Sequence, residues 1–242
     1  SFMKVTLISY TRNAAELLIF TKSTRLTMEP ALLETIFQWS EERKTEELKY
    51  IANTIKSSWE FVDYTFLIEG VSRAMANQLV RTRQASYAQQ TLRMLSKEDG
   101  YEYVPTSKNV ASPAAMAIIE RHTADTLAAY NALLAAGQSV ENARGVLPLA
   151  TATNIVAKFN LRTLSEIVKS RSGGRTQEEY QEVVRQMSNA TLKVHPWTSD
   201  FLFPQGRSYF DDIEAFADDR LSGPDRAALL KIVDKLRAEG AK

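Results

Sequence analysis

Three arginines and a run of small hydroxyl and amide side chains stand within thirteen residues, 81–93, and no carboxylate interrupts them. The arginines are Arg81, Arg83 and Arg93, and the acid-free window around them extends from Gly70 to Lys97. The whole chain is close to neutral, with 30 basic and 29 acidic residues among 242. The excess of positive charge is therefore local, and it indicates a place where an anion is held, most simply a phosphate.

A second acid-free window extends from Asn142 to Ser165 and contains Arg144, Lys158, Asn160 and Arg162. The planar guanidinium of arginine binds a phosphate, or the edge of a pyrimidine, through two parallel hydrogen bonds. The two windows indicate one anionic ligand that is approached from two segments, or two such ligands. Solvated arginine-rich surfaces are the alternative that composition alone leaves open.

The composition excludes several other kinds of site. The chain has no cysteine, which excludes disulfides, thiolate metal sites and cysteine nucleophiles. Its two histidines, His122 and His195, are far apart in sequence, so we expect no metal site, and each histidine is predicted to be structural or on the surface. No G-x-G-x-x-G turn follows a strand, and neither a phosphate-binding G-x-x-x-x-G-K-[ST] loop nor a Ser-His-Asp arrangement is found.

Net charge and hydropathy limit the partners. A net charge of +1 argues against a polymeric nucleic acid, whose binding proteins carry a strong positive field. No apolar run approaches the ~18 residues that would span a membrane. We therefore expect a cytoplasmic protein whose ligand is a small anion.

Periodicity and capping residues predict the elements that must position these side chains. Extended segments are predicted at Met3–Tyr10, Glu60–Val71 and Ala150–Phe159. Helices are predicted from Thr45 to Ser58, from Arg73 to Val80 after a Ser72 cap, from Pro113 to Gly137, from Leu161 to Arg171, and from Thr176 to Val194. The mixture predicts an α+β fold. Residues 1–203 are predicted to form the main domain, and residues 204–242 a polar helical appendage.

The arginine stretch resembles the signature of the flavin-dependent thymidylate synthases, the ThyX family. The family motif is RHRxxxxxxxSxR, with a glutamine a few residues earlier. In this chain Gln78 precedes Arg81-Thr82-Arg83, seven residues intervene, and Thr91-Leu92-Arg93 closes the motif. The order, the spacing and three of the key residue types match.

Further segments carry the same resemblance over roughly Met3 to Phe203. Residues 98–103 (EDGYEY) are similar to the family's segment after the motif, and residues 143–149 (ARGVLPL) to its AR-x-x-LP element. Asn160-Leu161-Arg162-Thr163-Leu164, followed by Arg171 and Gln177, resembles the family's N-x-R-x-L helix and its following arginine. Several spaced motifs are more specific than any single one.

The resemblance implies a mixed α/β subunit, with a mostly antiparallel sheet and flanking helices, that forms a homotetramer with shared active sites. It implies FAD as the cofactor, NADPH and methylenetetrahydrofolate as co-substrates, and a uracil nucleotide as the acceptor that is methylated at C5. No protein cysteine attacks the pyrimidine in this family, which suits a chain without one. The protein's task is then mostly positioning and electrostatics.

Roles can be carried over residue by residue from the matching motifs. Arg171 would be the catalytic residue at the pyrimidine, where it would favour the N3-ionised base and so raise the electron density at C5. The nucleotide would also be held by Gln78, Arg81, Gln89, Gln90, Thr91, Arg93 and Arg144. FAD would be contacted by Ser57, Arg81, Thr82, Arg83, Asn160, Arg162 and Glu166.

Five positions depart from the family pattern, and each corresponds to a ligand contact. Thr82 replaces the motif's histidine, Thr91 its serine and Gln89 an acidic residue. Glu166 stands where the family has an asparagine that faces the flavin, and Ile55 where a histidine is frequent. These changes suggest a specialised member that accepts UMP as well as dUMP, as in nucleoside-antibiotic biosynthesis. A C5 hydroxymethylase, a catalytically inactive nucleotide-binding homologue and a divergent ordinary member are the alternatives.

Overall fold

A computed structural model describes residues 3–24, 28–92, 101–170, 178–204 and 208–239. The contacts divide the chain into two compact units. The first contains residues 3–9, 65–92, 101–159 and 178–183, and the second contains residues 10–24, 28–64, 160–170, 184–204 and 208–239. Arg93 and Arg171, two of the arginines singled out above, lie outside the described residues.

Four strands of the described chain form one sheet, in the order β1-β2-β4-β3. They are β1 (Lys4–Tyr10), β2 (Asp63–Ser72), β3 (Ala85–Gln89) and β4 (Ala152–Asn160). β3 pairs antiparallel with β4, and Ala85 lies opposite Phe159. Alternate residues of β4 are buried, as expected for a strand with one face on a core. Helices and an antiparallel strand pair confirm the predicted α+β class.

The helices of the described residues are numbered in chain order. They are α1 (Ala14–Ser23), α2 (Leu32–Phe37), α3 (Glu41–Ala52), α4 (Arg73–Leu79), α5 (Ser107–Val110), α6 (Pro113–Ala135), α7 (Val140–Ala143), α8 (Leu161–Ser170), α9 (Glu178–Val194), α10 (Ser199–Leu202), α11 (Tyr209–Arg220) and α12 (Gly223–Ala238). Short 3₁₀ turns occupy Lys56–Phe61, Arg144–Val146 and Pro196–Thr198. None of these helices is long and apolar enough to cross a membrane.

Most predicted elements are confirmed, and the differences have local causes. The helix predicted from Thr45 begins instead at Glu41, because the side chain of Ser40 accepts a hydrogen bond from the Arg43 amide. The residues before Asp63 form a 3₁₀ turn rather than the start of a strand. β3 was not predicted, because its sequence ASYAQ carries no apolar alternation. The predicted boundary between residues 203 and 204 stays a prediction.

An aromatic cluster surrounds His195 in the second unit. The Tyr64 hydroxyl lies 2.9 Å from His195 Nδ1, and the Tyr10 ring meets the imidazole edge-on at 5.1 Å. The imidazole stacks on Trp197 at 5.3 Å. Burial raises the pKa of Tyr64 and lowers the pKa of His195, an effect that the Glu16 carboxylate partly opposes. The protonated hydroxyl and the imidazole therefore share a hydrogen bond inside an aromatic cluster, which supports a structural role for His195.

We expect the free energy of unfolding to fall as the pH drops below about 6.5, the ordinary pKa of histidine. The unfolded chain binds the proton first, because burial lowers the pKa of His195 in the fold. The contribution is therefore complete above that pH and is lost as the pH falls below it. Urea denaturation at a series of pH values measures the slope.

His195→Gln should flatten this slope. His122→Gln is the matched control, because His122 is exposed on α6, and it should leave the slope as it is. Equal slopes in the two variants would show that another group controls acid stability.

Candidate functional site

A capped helix leads into the arginine stretch. The Ser72 side chain accepts a hydrogen bond from the Met75 amide and caps α4. Glu179 also holds Ser72 in place. Its two carboxylate oxygens accept hydrogen bonds from the Ser72 backbone N–H at 2.6 Å and from the Ser72 hydroxyl at 2.5 Å. Met75 and Leu79 bury one face of the helix. Gln78 is consequently exposed on the helix surface, and Arg81 is exposed just beyond the helix end.

The turn after α4 is fixed by one tyrosine that the sequence analysis did not single out. The Tyr87 hydroxyl reaches the carbonyl oxygens of Leu79 at 2.9 Å and Thr82 at 2.7 Å. Burial raises the pKa of Tyr87 to about 12, so the hydroxyl remains a donor. This contact holds the backbone that carries Arg81, Thr82 and Arg83, and it leaves both arginines exposed. Its signal in the sequence was weak, because a tyrosine in a polar segment has many possible roles.

Strand alternation separates two of the predicted nucleotide residues. Gln89 lies opposite Ile155, a residue of the buried face, and its Nε2 atom is buried without a hydrogen-bond partner among the described residues. Gln90 is exposed on the other face. A buried amide nitrogen without a partner is uncommon in folded proteins. Gln89 Nε2 therefore remains able to donate a hydrogen bond, and its role at the nucleotide stays a prediction.

Gln90 is held by β4. The Gln90 backbone N–H donates to the backbone carbonyl oxygen of Asn154 at 2.9 Å. The Gln90 side-chain Oε1 accepts a hydrogen bond from Asn154 Nδ2, also at 2.9 Å. Asn154 in turn accepts from the Gly70 amide at 2.9 Å. Thr91 follows in the chain and is exposed. Sequence reasoning missed Asn154, because its partners are 64 and 84 residues away.

Arg144 begins a 3₁₀ turn after α7 in the same unit. Its guanidinium lies 3.4 Å from the Glu141 carboxylate, and the arginine side chain is 31% exposed. A long, partly exposed pair of this kind contributes little stability. A phosphate could therefore replace the carboxylate as the partner of Arg144 at small cost.

The remaining predicted cofactor residues lie in the second unit. Asn160 Oδ1 accepts a hydrogen bond from the Thr163 amide at 2.8 Å and so caps α8. Arg162 pairs with Glu60 at 2.8 Å and with Glu166 at 3.5 Å, and all three side chains are 40–56% exposed. An anion bound by Arg162 would have to displace or share at least one of these carboxylates.

The elements around these residues carry polar groups that the fold does not satisfy. Ser58 Oγ, Trp59 Nε1 and Thr163 Oγ1 are buried without hydrogen-bond partners among the described residues. They belong to α8 and to the 3₁₀ turn that also contains Ser57. Buried polar groups are normally paired. The hydrogen-bond partners of these three atoms are therefore not among the described residues.

Two lysines that the sequence analysis missed add positive charge to the same elements. The pKa of Lys169 on α8 is lowered, first by hydrogen bonding to Lys56 and then by burial and by the charge of that lysine. Lys56 Nζ also lies 5.2 Å from the centre of the Trp59 ring. The lowered pKa means that the neutral amine of Lys169 is favoured more than usual, and an anion bound nearby would favour the charged form again.

Comparison with known proteins agrees with the family resemblance of the sequence. The family described as thymidylate synthase complementing protein matches residues 6–197. A flavin-dependent thymidylate synthase of Sulfurisphaera tokodaii is 34% identical over 203 residues, which cover 80% of this chain and 75% of that protein. The enzyme of the same name from Clostridium tetani is 28% identical over 212 residues, which cover 80% of this chain and 84% of that protein.

A solved structure shares the fold. It is the crystal structure of the UMP/dUMP methylase PolB from Streptomyces cacaoi bound with 5-Br dUMP, with a TM-score of 0.66. The likeness covers 82% of this chain and 93% of that one at 19% sequence identity, so it supports the fold alone. The extent of the family match, together with the 34% identity to a curated relative, establishes that the chain belongs to the family of flavin-dependent thymidylate synthases.

Proposed function

We propose that this protein methylates C5 of a uracil nucleotide, dUMP or UMP, with methylenetetrahydrofolate as the carbon donor and NADPH as the reductant. Family membership supports the reaction class. The observation that carries the proposal to this chain is the buried Gln89 amide without a described partner, beside a Gln90 side chain held at the end of β3. Both residues belong to the arginine stretch that resembles the family motif.

The nucleotide residues divide into three roles. Gln78, Gln89, Gln90 and Thr91 supply neutral hydrogen-bonding groups for the nucleotide. Arg81, Arg93 and Arg144 supply positive charge, and Arg93 and Arg144 bind the phosphate. Arg171 lies at the pyrimidine, where its charge stabilises the base ionised at N3 and raises the electron density at C5.

The cofactor is FAD, held by Arg81, Thr82, Arg83, Ser57, Asn160, Arg162 and Glu166. When bound, the reduced flavin supplies the reducing equivalents and mediates the transfer of the folate's carbon. The protein's residues orient the flavin against the nucleotide and exclude water. Because Asn160 Oδ1 already caps α8, the Asn160 side chain can offer its Nδ2 group to FAD as a hydrogen-bond donor. A phosphate of FAD near Lys169 would favour the charged form of that lysine, whose pKa is lowered in the protein alone.

We propose that the active enzyme is a homotetramer whose subunits share active sites, as the family resemblance implies. We also propose that acceptance of UMP beside dUMP distinguishes this chain, because Thr82, Gln89 and Thr91 all depart from the motif. Methylation of UMP would place the protein in nucleoside-antibiotic biosynthesis.

A second candidate is a nucleotide-binding homologue without turnover, and the pairing of Arg162 favours it. Glu166 replaces the family's asparagine and lies 3.5 Å from Arg162, which Glu60 already neutralises from 2.8 Å. This weakens the positive potential that one predicted flavin contact can offer. A C5 hydroxymethylase of the same nucleotide is the remaining alternative.

Flavin content tests the first part of the proposal. The purified protein should be yellow, and NADPH should bleach it under anaerobic conditions. A protein that takes up no FAD, even when it is refolded or reconstituted with an excess of FAD, would contradict the proposed function.

A further inference from the structure

A hydrogen-bond chain links Gly70 of β2, Asn154 of β4 and Gln90, the residue that follows β3. The Gly70 amide of β2 donates to Asn154 Oδ1 at 2.9 Å. Asn154 Nδ2 then donates to Gln90 Oε1, also at 2.9 Å. Asn154 and Gln90 are both exposed, so the end of this chain faces outward from the first unit.

The direction of every bond in the chain is set by its first member. A backbone N–H can only donate, so the atom of Asn154 that faces Gly70 must be the carbonyl oxygen. The other atom of that carboxamide is then the amino group, which can only donate. The atom of Gln90 that faces it must therefore be Oε1, and the Gln90 amino group is the one turned away.

The backbone of β2 is shaped to supply this first donor. Buried residues alternate along β2 through Tyr64, Phe66 and Ile68, and the alternation then slips by one residue so that Val71 is buried. Gly70 lies at the slip with a φ of 67°, which glycine adopts without the strain of a side chain. The left-handed backbone at Gly70 departs from regular strand geometry, and the Gly70 amide donates to a side-chain acceptor, Asn154 Oδ1.

We propose that Asn154 is a positioning residue that fixes the Gln90 carboxamide with its amino group toward the nucleotide, so that Gln90 recognises an oxygen acceptor. Among the described residues none accepts from Gln90 Nε2, while the Gln90 backbone is fastened to the Asn154 carbonyl. A carbonyl oxygen of uracil and a phosphoryl oxygen share the required chemistry. A ring N–H or an exocyclic amino group would meet a donor instead. The proposal rests on the proposed nucleotide-binding role of Gln90.

Asn154→Asp replaces the hydrogen-bond donor that faces Gln90 with an acceptor, while the side chain keeps nearly the same shape. An aspartate can still accept from the Gly70 amide, but its second oxygen also accepts, so Gln90 must turn its amino group inward and present Oε1 to the ligand. We expect the affinity of the FAD-loaded protein for dUMP, measured by titration calorimetry, to fall about tenfold or more, because two acceptors then face each other.

Gln90→Ala provides the matched background. If Asn154 acts through Gln90, Asn154→Asp should change dUMP affinity less than about threefold when Gln90 is already alanine. An equal loss in both backgrounds would overturn the proposal, because the added charge or a distorted fold would then explain it. Asn154→Ala serves if the aspartate variant does not fold. Asn154→Ala should lower dUMP affinity less than Asn154→Asp does. That decrease should also disappear when Gln90 is alanine.

A titration with deoxyuridine, which has no phosphate, identifies the acceptor. A loss that persists with deoxyuridine assigns the acceptor to the base or the sugar, and a loss found only with dUMP assigns it to the phosphate. If the unmodified protein binds neither compound, the proposed function itself fails. If the unmodified protein binds dUMP and Asn154→Asp leaves the affinity unchanged, only the role of Asn154 fails.

Discussion

Arg171→Ala is expected to lower turnover by about 10²- to 10³-fold, the usual effect of removing a group that stabilises charge developed during a reaction. Under the proposed function this arginine favours the pyrimidine ionised at N3, so its loss leaves C5 a poorer nucleophile. FAD binding should be largely unchanged, because the predicted flavin contacts are other residues. Steady-state turnover together with the flavin-to-protein ratio separates the two effects.

Two further variants serve as controls for Arg171→Ala. Arg171→Lys keeps the charge but loses the planar fork, so its turnover should lie between those of the wild type and the alanine variant. Arg121→Ala removes an exposed arginine from α6 and should leave turnover unchanged. Wild-type activity in Arg171→Ala would show that the role assigned to this position is wrong.

Asp218→Ala is expected to lower the free energy of unfolding by about 3–5 kcal/mol, which is typical of removing one partner from a buried ionic network. The Asp218 carboxylate accepts from Arg185 at 2.5 Å, from Asn189 at 2.8 Å and from Arg226 through two bonds of 2.9 and 2.8 Å. These donors lie on α9 and α12, so one carboxylate of α11 joins three helices. Arg185 is only 5% exposed, so the loss of the Asp218 carboxylate as one of its partners is costly.

Asp219→Ala is the matched control for Asp218→Ala. The neighbouring carboxylate pairs with Lys193 and Arg220, and all three side chains are well exposed. Its removal should scarcely move the midpoint of urea denaturation, because exposed pairs contribute little. Equal midpoints for the two variants would contradict the account of how α11 and α12 are held.

Local sequence signals predicted the parts of the fold that local contacts determine. The Ser72 cap and the Ser112-Pro113 helix start were both predicted, and both serines make capping hydrogen bonds within three residues along the chain. Ser40 caps α3 through an equally local hydrogen bond, but the sequence analysis placed the start of this helix at Thr45. Thr45 instead bonds the Glu41 carbonyl from inside α3.

Contacts between distant segments could not be predicted from one sequence. Glu179 reaches Ser72 across 107 residues, and Asn154 reaches Gly70 across 84. The Tyr87 hydroxyl bonds the carbonyl oxygens of Leu79 and Thr82, which are only eight and five residues away. These contacts are local, but nothing in the polar segment 84–90 indicated that the segment contains a strand. The candidate ligand residues came from a family resemblance, whereas the residues that position them came from the structure.

The pairing of Arg162 shows why the departures from the motif need the structure. The sequence showed only that Glu166 replaces an asparagine. The structure adds that this glutamate and Glu60 flank an arginine assigned to FAD. A measurement of flavin binding therefore helps to distinguish an active enzyme from an inactive homologue.

The most direct test of the proposed reaction is tritium release from C5-labelled dUMP and UMP. With FAD and NADPH present, the account predicts release that requires methylenetetrahydrofolate, and a product that carries a methyl group at C5. The relative rates with the two nucleotides then identify the preferred sugar. Nucleotide binding without tritium release, under every combination of flavin, reductant and folate, would contradict the account and identify a binding protein that has lost the chemistry of its family.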